Sequence, residues 1–463
     1  MTRLRTMMLS HCFCIRKNLN KADLPSATIK LLLAIAILVL STAFCGAAVR
    51  NTKPASVHRL KLSPGDTVRI IDGVYEMVNV RLCGRGTLAD PIVMMPQTPG
   101  GVVFSEGSRV YLDGSYLVVE GFRFEKQQQG YNFFSMTDTT SHCRISECIF
   151  DGSACEFAPK GKWGNFVQLR GSYQEVSHCA FLDKKTIGAM LAVNIQDGQV
   201  VHHVIRNNFF TRPNTLMSSK GVQINGQESI RVGSSTFSMK DAGCTVADNW
   251  FLHCDGEVEI ISSKSCFNVY ERNLFEESRG TLTLRHGNDC IVRGNWFIGK
   301  HKNGSGGVRI IGERHRVEDN YMRELRGYGA HSPVSVIRGF ENPKLSDYYQ
   351  VTDVVIKGNW LVDCDFGMQI AIVGHPENVL MPEGLRIEGN TIICHRKNQI
   401  AVEVYDMPAS DIKWTNNVIW GGTINGVELK RARKEPSVPD FSAQIQKVRD
   451  NAGPSYWKPQ FDN

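Results

Sequence analysis

The chain of 463 residues has no low-complexity tract, no CxxC pair, few NG or DG turns and a single long apolar run. Each scarcity excludes something. Eleven cysteines lie beyond residue 48, an odd number without CxxC spacing, so a disulfide framework is not indicated. Cys148 and Cys179 fall at one position of a repeat and are expected as stacked core thiols. Sparse NG and DG signals argue against the antiparallel hairpins of a β-propeller. The apolar run, Leu31 to Leu40, follows Lys30 and precedes small residues around Gly46, Ala47 and Ala48. It is shorter than the ~20 residues of a membrane span and fits a secretory signal peptide with an extended N-terminus over 1–48, a signal anchor being the alternative. Net charge is modest too: residues 1–48 carry +5 of the formal +7, leaving about +2. That balance argues neither for nor against a polyanionic partner; no nucleic-acid partner is expected, and an acidic substrate would need a local patch.

What is present is a repeat. A phrase ending in Asn (or Cys) and an apolar doublet returns as ISECIF at Cys148, VSHCAF at Cys179, IRNNFF at Asn208, VADNWF at Asn249, YERNLF at Asn273 and VRGNWF at Asn295. It continues at Asn320, Asn359, Asn390 and Asn417, about 22 to 31 residues apart where coils are compact and about 40 where a loop intrudes. Such self-similarity marks a solenoid with one turn per repeat. The segments between are short and β-rich, not amphipathic helices. Asn suits a sharp corner because it tolerates left-handed geometry, and its amide can hydrogen-bond along the stack. The fold expected is all-β: one right-handed parallel β-helix over 49–430, with a proline-rich tail over 431–463 wrapping or capping the last coil.

Polar chemistry concentrates in the middle coils. Strand alternation in Glu257-Val258-Glu259-Ile260 predicts both carboxylates on the outer face, and in Thr281-Leu282-Thr283-Leu284-Arg285 it predicts Arg285 outward. Glu257 lies eight residues past Asn249 and Thr281 eight past Asn273, which predicts that they are neighbours on adjacent coils. Two like charges on one strand repel, and a hard cation would relieve them. With an amide oxygen from Asn225 they form an all-oxygen set suited to Ca²⁺. Lys264 is the candidate base for removing the C5 proton of a uronate, and Arg285 could assist departure of the C4 oxygen. A bound cation would neutralise the substrate carboxylate. Glu228, Arg231, His286 and Arg309 are expected on the same face as substrate contacts. His202, His203 and His315 lack metal-ligand spacing. A glycoside hydrolase would instead use carboxylates flanking the scissile bond. A silent carbohydrate-binding solenoid would not need Lys264 and Arg285.

The segments Asn225 to Gly233, Gly256 to Ser265 and Leu284 to Gly287 resemble the phrases NG-x-E-[ST]-IR-x-G, GE-x-EIIS-x-KS and LRHG of polysaccharide lyase family 6, which contains chondroitinase B and many alginate lyases. Weaker likeness runs from about Val57 to Asn417. The resemblance implies that Asn225, Glu257 and Glu259 are calcium ligands, Lys264 the Brønsted base and Arg285 the Brønsted acid. Ser263 departs from the family, which often has Asn there, and its place beside Lys264 suggests a retuned pocket. The resemblance implies a lyase acting on an acidic polysaccharide, alginate before dermatan sulfate, and the signal-like N-terminus suits a secreted or periplasmic bacterial protein.

Overall fold

The computed structural model describes residues 47–158, 161–408 and 411–459; the apolar run and the expected signal lie outside the described residues. Among those described, three long sheets of 14, 13 and 13 strands run the length of the molecule. Each coil supplies one strand to each sheet, and every pairing within these sheets is parallel, as in Phe275 opposite Phe251 and Phe297. The chain is a parallel β-helix. At the N-terminal end the short 3-10 helix Pro54–Arg59 places Val57 in the core.

The repeated Asn builds the corner, by a different division of labour from the one the sequence suggested. The left-handed residue is the one before it: Asp248 (φ 57°), Arg272 (φ 53°), Gly294 (φ 60°) and Asp319 (φ 54°). The Asn itself is fully buried and carries the ladder. Each Oδ1 accepts both the backbone N–H and the amide N–H of the Asn one coil earlier. The ladder runs from Asn208 through Asn249, Asn273, Asn295, Asn320, Asn359 and Asn390 to Asn417 at 2.9–3.1 Å. Buried polar groups must be paired, and here each is paired with its own repeat. Cys179 occupies the preceding rung and donates its N–H to Asn208. All eleven described cysteines are free, with Cys148 and Cys179 buried.

The apolar doublet divides between two faces. Its second residue points inward, where Phe124, Phe150, Phe181, Phe210, Phe251, Phe275 and Phe297 form a column with centroids 4.6–5.0 Å apart. Its first residue (Phe209, Trp250, Leu274, Trp296, Tyr321) points outward as an apolar stripe that must itself be covered. That cover is the C-terminal tail. Val427 and Leu429 pack on the core of the last coils. The chain then turns back along the outside of this sheet instead of capping the end. Helix Ser442–Asn451 lays Val448 and Ile445 on the stripe. Arg449 pairs with Glu276 at 2.7 Å, Trp457 packs on Phe209, and Ser455 bonds Glu147. The tail, expected to wrap or cap the last coil, has its helix lying instead along the stripe of the middle coils.

Two wide gaps in the ladder, from Asn208 to Asn249 and from Asn320 to Asn359, are loops over 213–227 and 338–350. Both arrive at one face of one sheet. No described helix is long and apolar enough to cross a membrane.

Candidate functional site

Four successive strands of the second sheet form the floor: Ile230–Gly233, Glu259–Lys264, Gly280–His286 and Ser305–Ile310. Their outer row reads Arg231, Ser262, Thr283 and Arg309 in register, while Val232, Ser263, Leu284 and Ile310 face the interior. Register slips twice between the second and third strands, at Glu259/Ile261 and at Ser263/Lys264. Bulges of this kind re-aim side chains, and here they set Glu259 and Lys264 at the two ends of the strand.

Strict alternation therefore fails at the Glu pair. Ile260 and Ile261 are both buried, and Glu259, not Glu257, lies opposite Thr281. The Asn249 coil holds two extra residues before its strand, so equal counting from the ladder was two residues out. Glu257 lies just ahead of the strand, 5% exposed. Its oxygens accept the backbone N–H of Gly226 at 3.3 Å and of Gln227 at 3.0 Å. That contact brings the 213–227 loop, and exposed Asn225, beside the carboxylate. Gly226 is required there: its φ is +86°, and a Cβ would fall 1.9 Å from the Trp163 ring. Ser263, expected to retune the pocket, points inward and receives a hydrogen bond from Asn268 at 3.3 Å.

Lys264 Nζ stands 3.7 Å from Glu228. Glu259 accepts a hydrogen bond from Ser262 and faces Arg285 Nε at 3.4 Å and Arg309 at 3.9 Å. Glu228 is 3% exposed, with one oxygen lacking a hydrogen-bond partner. Burial pushes the Glu257 carboxyl well above the usual range, and the neighbouring charges of Glu228 and Glu259 add to this. Three carboxylates thus crowd one buried patch. Beneath them Arg212 is fully buried, its guanidinium donating to the carbonyls of Thr186 at 3.0 Å and Gly188 at 3.1 Å.

Of the four expected substrate contacts, Arg231 is half-exposed on the outer row, with its Nε unpartnered. Glu228, His286 and Arg309 are largely buried. His286 is roofed by the 338–350 loop, where it bonds the Asp347 backbone; burial, with Arg285 and Lys264 nearby, depresses it to about 3, so the ring is neutral. The roof's anchor is Tyr348, which the sequence reading missed. Its ring lies 4.2 Å from the Arg285 guanidinium carbon and 5.3 Å from that of Arg309, and Arg309 donates to its hydroxyl. The only sequence signal was the wide gap between Asn320 and Asn359. Arg212 and Trp163 were missed as well, since no periodicity marks either.

No group of three or more His, Cys, Asp or Glu among the described residues is arranged to hold a metal. The set expected here has two carboxylates and an amide. An orphaned carboxylate oxygen on Glu228 and a buried Glu257 carboxyl whose ionised form needs a nearby positive charge fit a hard cation; oxygen donors without sulfur or imidazole favour calcium over zinc.

The family model described as chondroitinase B matches residues 49–448. Among curated protein sequences none matches the chain. Among solved structures the chain is similar to the PL6 family alginate lyase AlyGC, at 27% identity and TM-score 0.79, covering 90% of this chain and 60% of that one. It therefore spans about six tenths of that relative's length. It is also similar to a mannuronic acid specific family 6 lyase from human gut microbiota, at 27% identity and TM-score 0.71, covering 89% of this chain and 97% of that one.

Proposed function

The chain belongs to the chondroitinase B family of polysaccharide lyases, family 6, and on that footing we propose that it cleaves alginate by calcium-assisted β-elimination outside the cytoplasm. The observation carrying this reading is one patch that holds Lys264 beside Glu228 at 3.7 Å and Arg285 beside Glu259 at 3.4 Å, with buried Glu257 between the coils. The similarity to an alginate lyase and to a mannuronic acid specific lyase, each at 27% identity, supports the substrate. The run Leu31 to Leu40 supports export.

Asn225, Glu257 and Glu259 would hold Ca²⁺, which supplies charge neutralisation at the substrate carboxylate. Lys264 takes the C5 proton onto Nζ. The C–H electrons become the C4–C5 double bond as the C4–O bond breaks, and the departing oxygen takes up a proton. Glu228 stands where it stabilises the ammonium so formed. Arg285 and Arg309 present positive charge to the developing negative charge on the leaving oxygen. Buried Arg212 holds the Gly188 carbonyl, and the Gly188 N–H bonds Gly226 O at 2.8 Å, fixing the backbone that grips Glu257.

The test is ultraviolet absorbance of the new double bond during incubation with alginate and, separately, dermatan sulfate. Alginate should give a rise that a chelator abolishes and Ca²⁺ restores. Lys264→Ala should lower the rate by about 10²–10⁴-fold, the usual worth of a positioned base. A rise on dermatan sulfate alone would overturn the substrate, full activity in chelator would overturn the metal, and no rise on either polymer would overturn the elimination.

A further inference from the structure

Resting on the lyase reading, we infer that the polysaccharide is also held along the rim of the floor sheet on its N-terminal side, where Trp163, Tyr131 and Arg109 take sugar residues several units from the bond that is cut. Trp163 is 54% exposed and Tyr131 is 42% exposed. Single exposed apolar residues need no explanation, but large rings left open side by side mark an interaction surface.

The two rings stand on adjacent coils, each just ahead of its strand: Phe134–Met136 pairs with Val167–Leu169. The coils meet closely there, since a Cβ on Gly164 would fall 2.5 Å from the Tyr131 carbonyl oxygen. From Val167–Leu169 the sheet passes through Leu191–Val193 to Ile230–Gly233. The Trp163 indole reaches across that intervening coil, and the edge of its six-membered ring lies against Gly226. Gly226 adjoins Asn225 and donates its N–H to Glu257, so the rim runs without a break into the proposed metal loop. On the other side of Tyr131 the next strand in the sheet is Arg109–Ser115. The Arg109 guanidinium carbon sits 4.2 Å from the Tyr131 ring centroid, and its Nε donates to Asn79 Oδ1 at 3.0 Å. Arg81 and Arg170 on the same face are each paired with an aspartate, Asp113 at 2.7 Å and Asp138 at 3.0 Å. Arg109 forms no ion pair among the described residues, which leaves its charge for the carboxylate of a ligand.

Such a rim selects an acidic sugar chain. The C–H face of a pyranose stacks on an indole or phenol ring, and a guanidinium laid on a ring keeps its outer N–H groups for a carboxylate. Ser135 and Gln168 lie in register with Arg231 in the outer row of the floor and add polar partners. From the Tyr131 coil to the Glu257 coil there are four strand steps, ~19 Å at ~4.8 Å each. Only a chain of several sugars fills the catalytic patch and reaches the rim as well. The occupant is therefore the uronate polymer itself, running on from the cut.

Trp163→Ala removes a ring from the rim and Arg109→Gln a charge. The readout is preference for polymer: kcat/KM on long alginate divided by kcat/KM on a trisaccharide. It should fall about 10-fold in Trp163→Ala, the worth of one stacked ring, and about 3-fold in Arg109→Gln. Raising salt should close the gap between Arg109→Gln and the parent and leave that of Trp163→Ala in place. A preference within about 2-fold of the parent in both variants would overturn the assignment. So would equal losses on the two substrates, or a weakened half-saturation by Ca²⁺ in Trp163→Ala, either of which makes Trp163 a prop for the metal loop. Retention on immobilised alginate tests the rim without turnover: the double variant should elute at lower salt than the parent, and equal elution refutes the rim. Failure of the lyase reading shows separately, as no unsaturated product from the parent.

Discussion

Replacing Asn249 by Ala removes one rung from the middle of the corner ladder, and the structure fixes the cost. Asn249 Oδ1 accepts the Asn208 N–H and the Asn208 amide, both at 2.9 Å, and its own amide donates to Ile205 O at 2.9 Å and to Asn273 Oδ1 at 3.0 Å. Asn273 Oδ1 still receives the residue-249 N–H, and the Asn208 amide still reaches Val176 O. The Asn208 N–H and the Ile205 carbonyl each lose this partner at a site with no exposed surface. Two buried groups at about 1–3 kcal/mol each give a loss of about 2–6 kcal/mol. Asn417→Ala should cost a similar amount although that rung is last in the ladder and itself half-exposed, because the groups it leaves without this partner, the Asn390 N–H and the Ile387 carbonyl, belong to fully buried residues. Urea unfolding followed by tryptophan emission reads both. The damage should also reach activity, since Glu257 and Lys264 lie eight and fifteen residues beyond Asn249 on the same coil. If both variants lose less than about 1 kcal/mol, the ladder is not what holds the corner.

Two further outcomes follow from buried groups. His203 and His315 are fully buried, and burial depresses them to about 3 and about 4. Their Nδ1 atoms accept backbone N–H bonds from Gln174 and Cys290, so the folded rings are neutral. A folded pKa below the ordinary ~6.5 means the stability they confer is complete above that pH and is lost as pH falls towards 4 and 3. For His315 alone this amounts to about 3 kcal/mol on full protonation, at ~1.4 kcal/mol per unit. The urea midpoint should drop steeply from pH 7 to pH 4, and His315→Asn should flatten that slope by supplying an acceptor that does not titrate; an unchanged slope would count against the assignment. Gly226→Ala should cost about 1–2 kcal/mol for the left-handed backbone alone, plus the collision with Trp163, and should weaken half-saturation by Ca²⁺ as the grip on Glu257 shifts. Adding Trp163→Ala should recover the steric share, and a double variant no better than Gly226→Ala would refute the collision.

Periodicity alone specifies the solenoid. A buried Asn at every turn, followed by one inward and one outward apolar residue, leaves few arrangements in which all the amides are paired and all the Phe rings stacked. The sequence also singled out Asn225, Glu257, Lys264 and Arg285 as candidates for the chemistry, since they stand in short unbroken phrases. Even the reason for the Asn was only half legible: periodicity located the corner, but which of two adjacent residues takes the left-handed conformation depends on which is buried. Tertiary structure decided the rest. Two extra residues in the Asn249 coil and two register slips moved Glu259, not Glu257, opposite Thr281, and no periodic count contains such slips. Tyr348 enters the site from more than sixty residues beyond Arg285 along the chain, and Arg212 from beneath it. Neither belongs to the repeat, because a loop and a buried cation are positioned by packing against other coils. The tail's course was settled the same way: the outward Phe209, Trp250 and Trp296 form a stripe only when coils stack, and only then does the helix Ser442–Asn451 have something to cover.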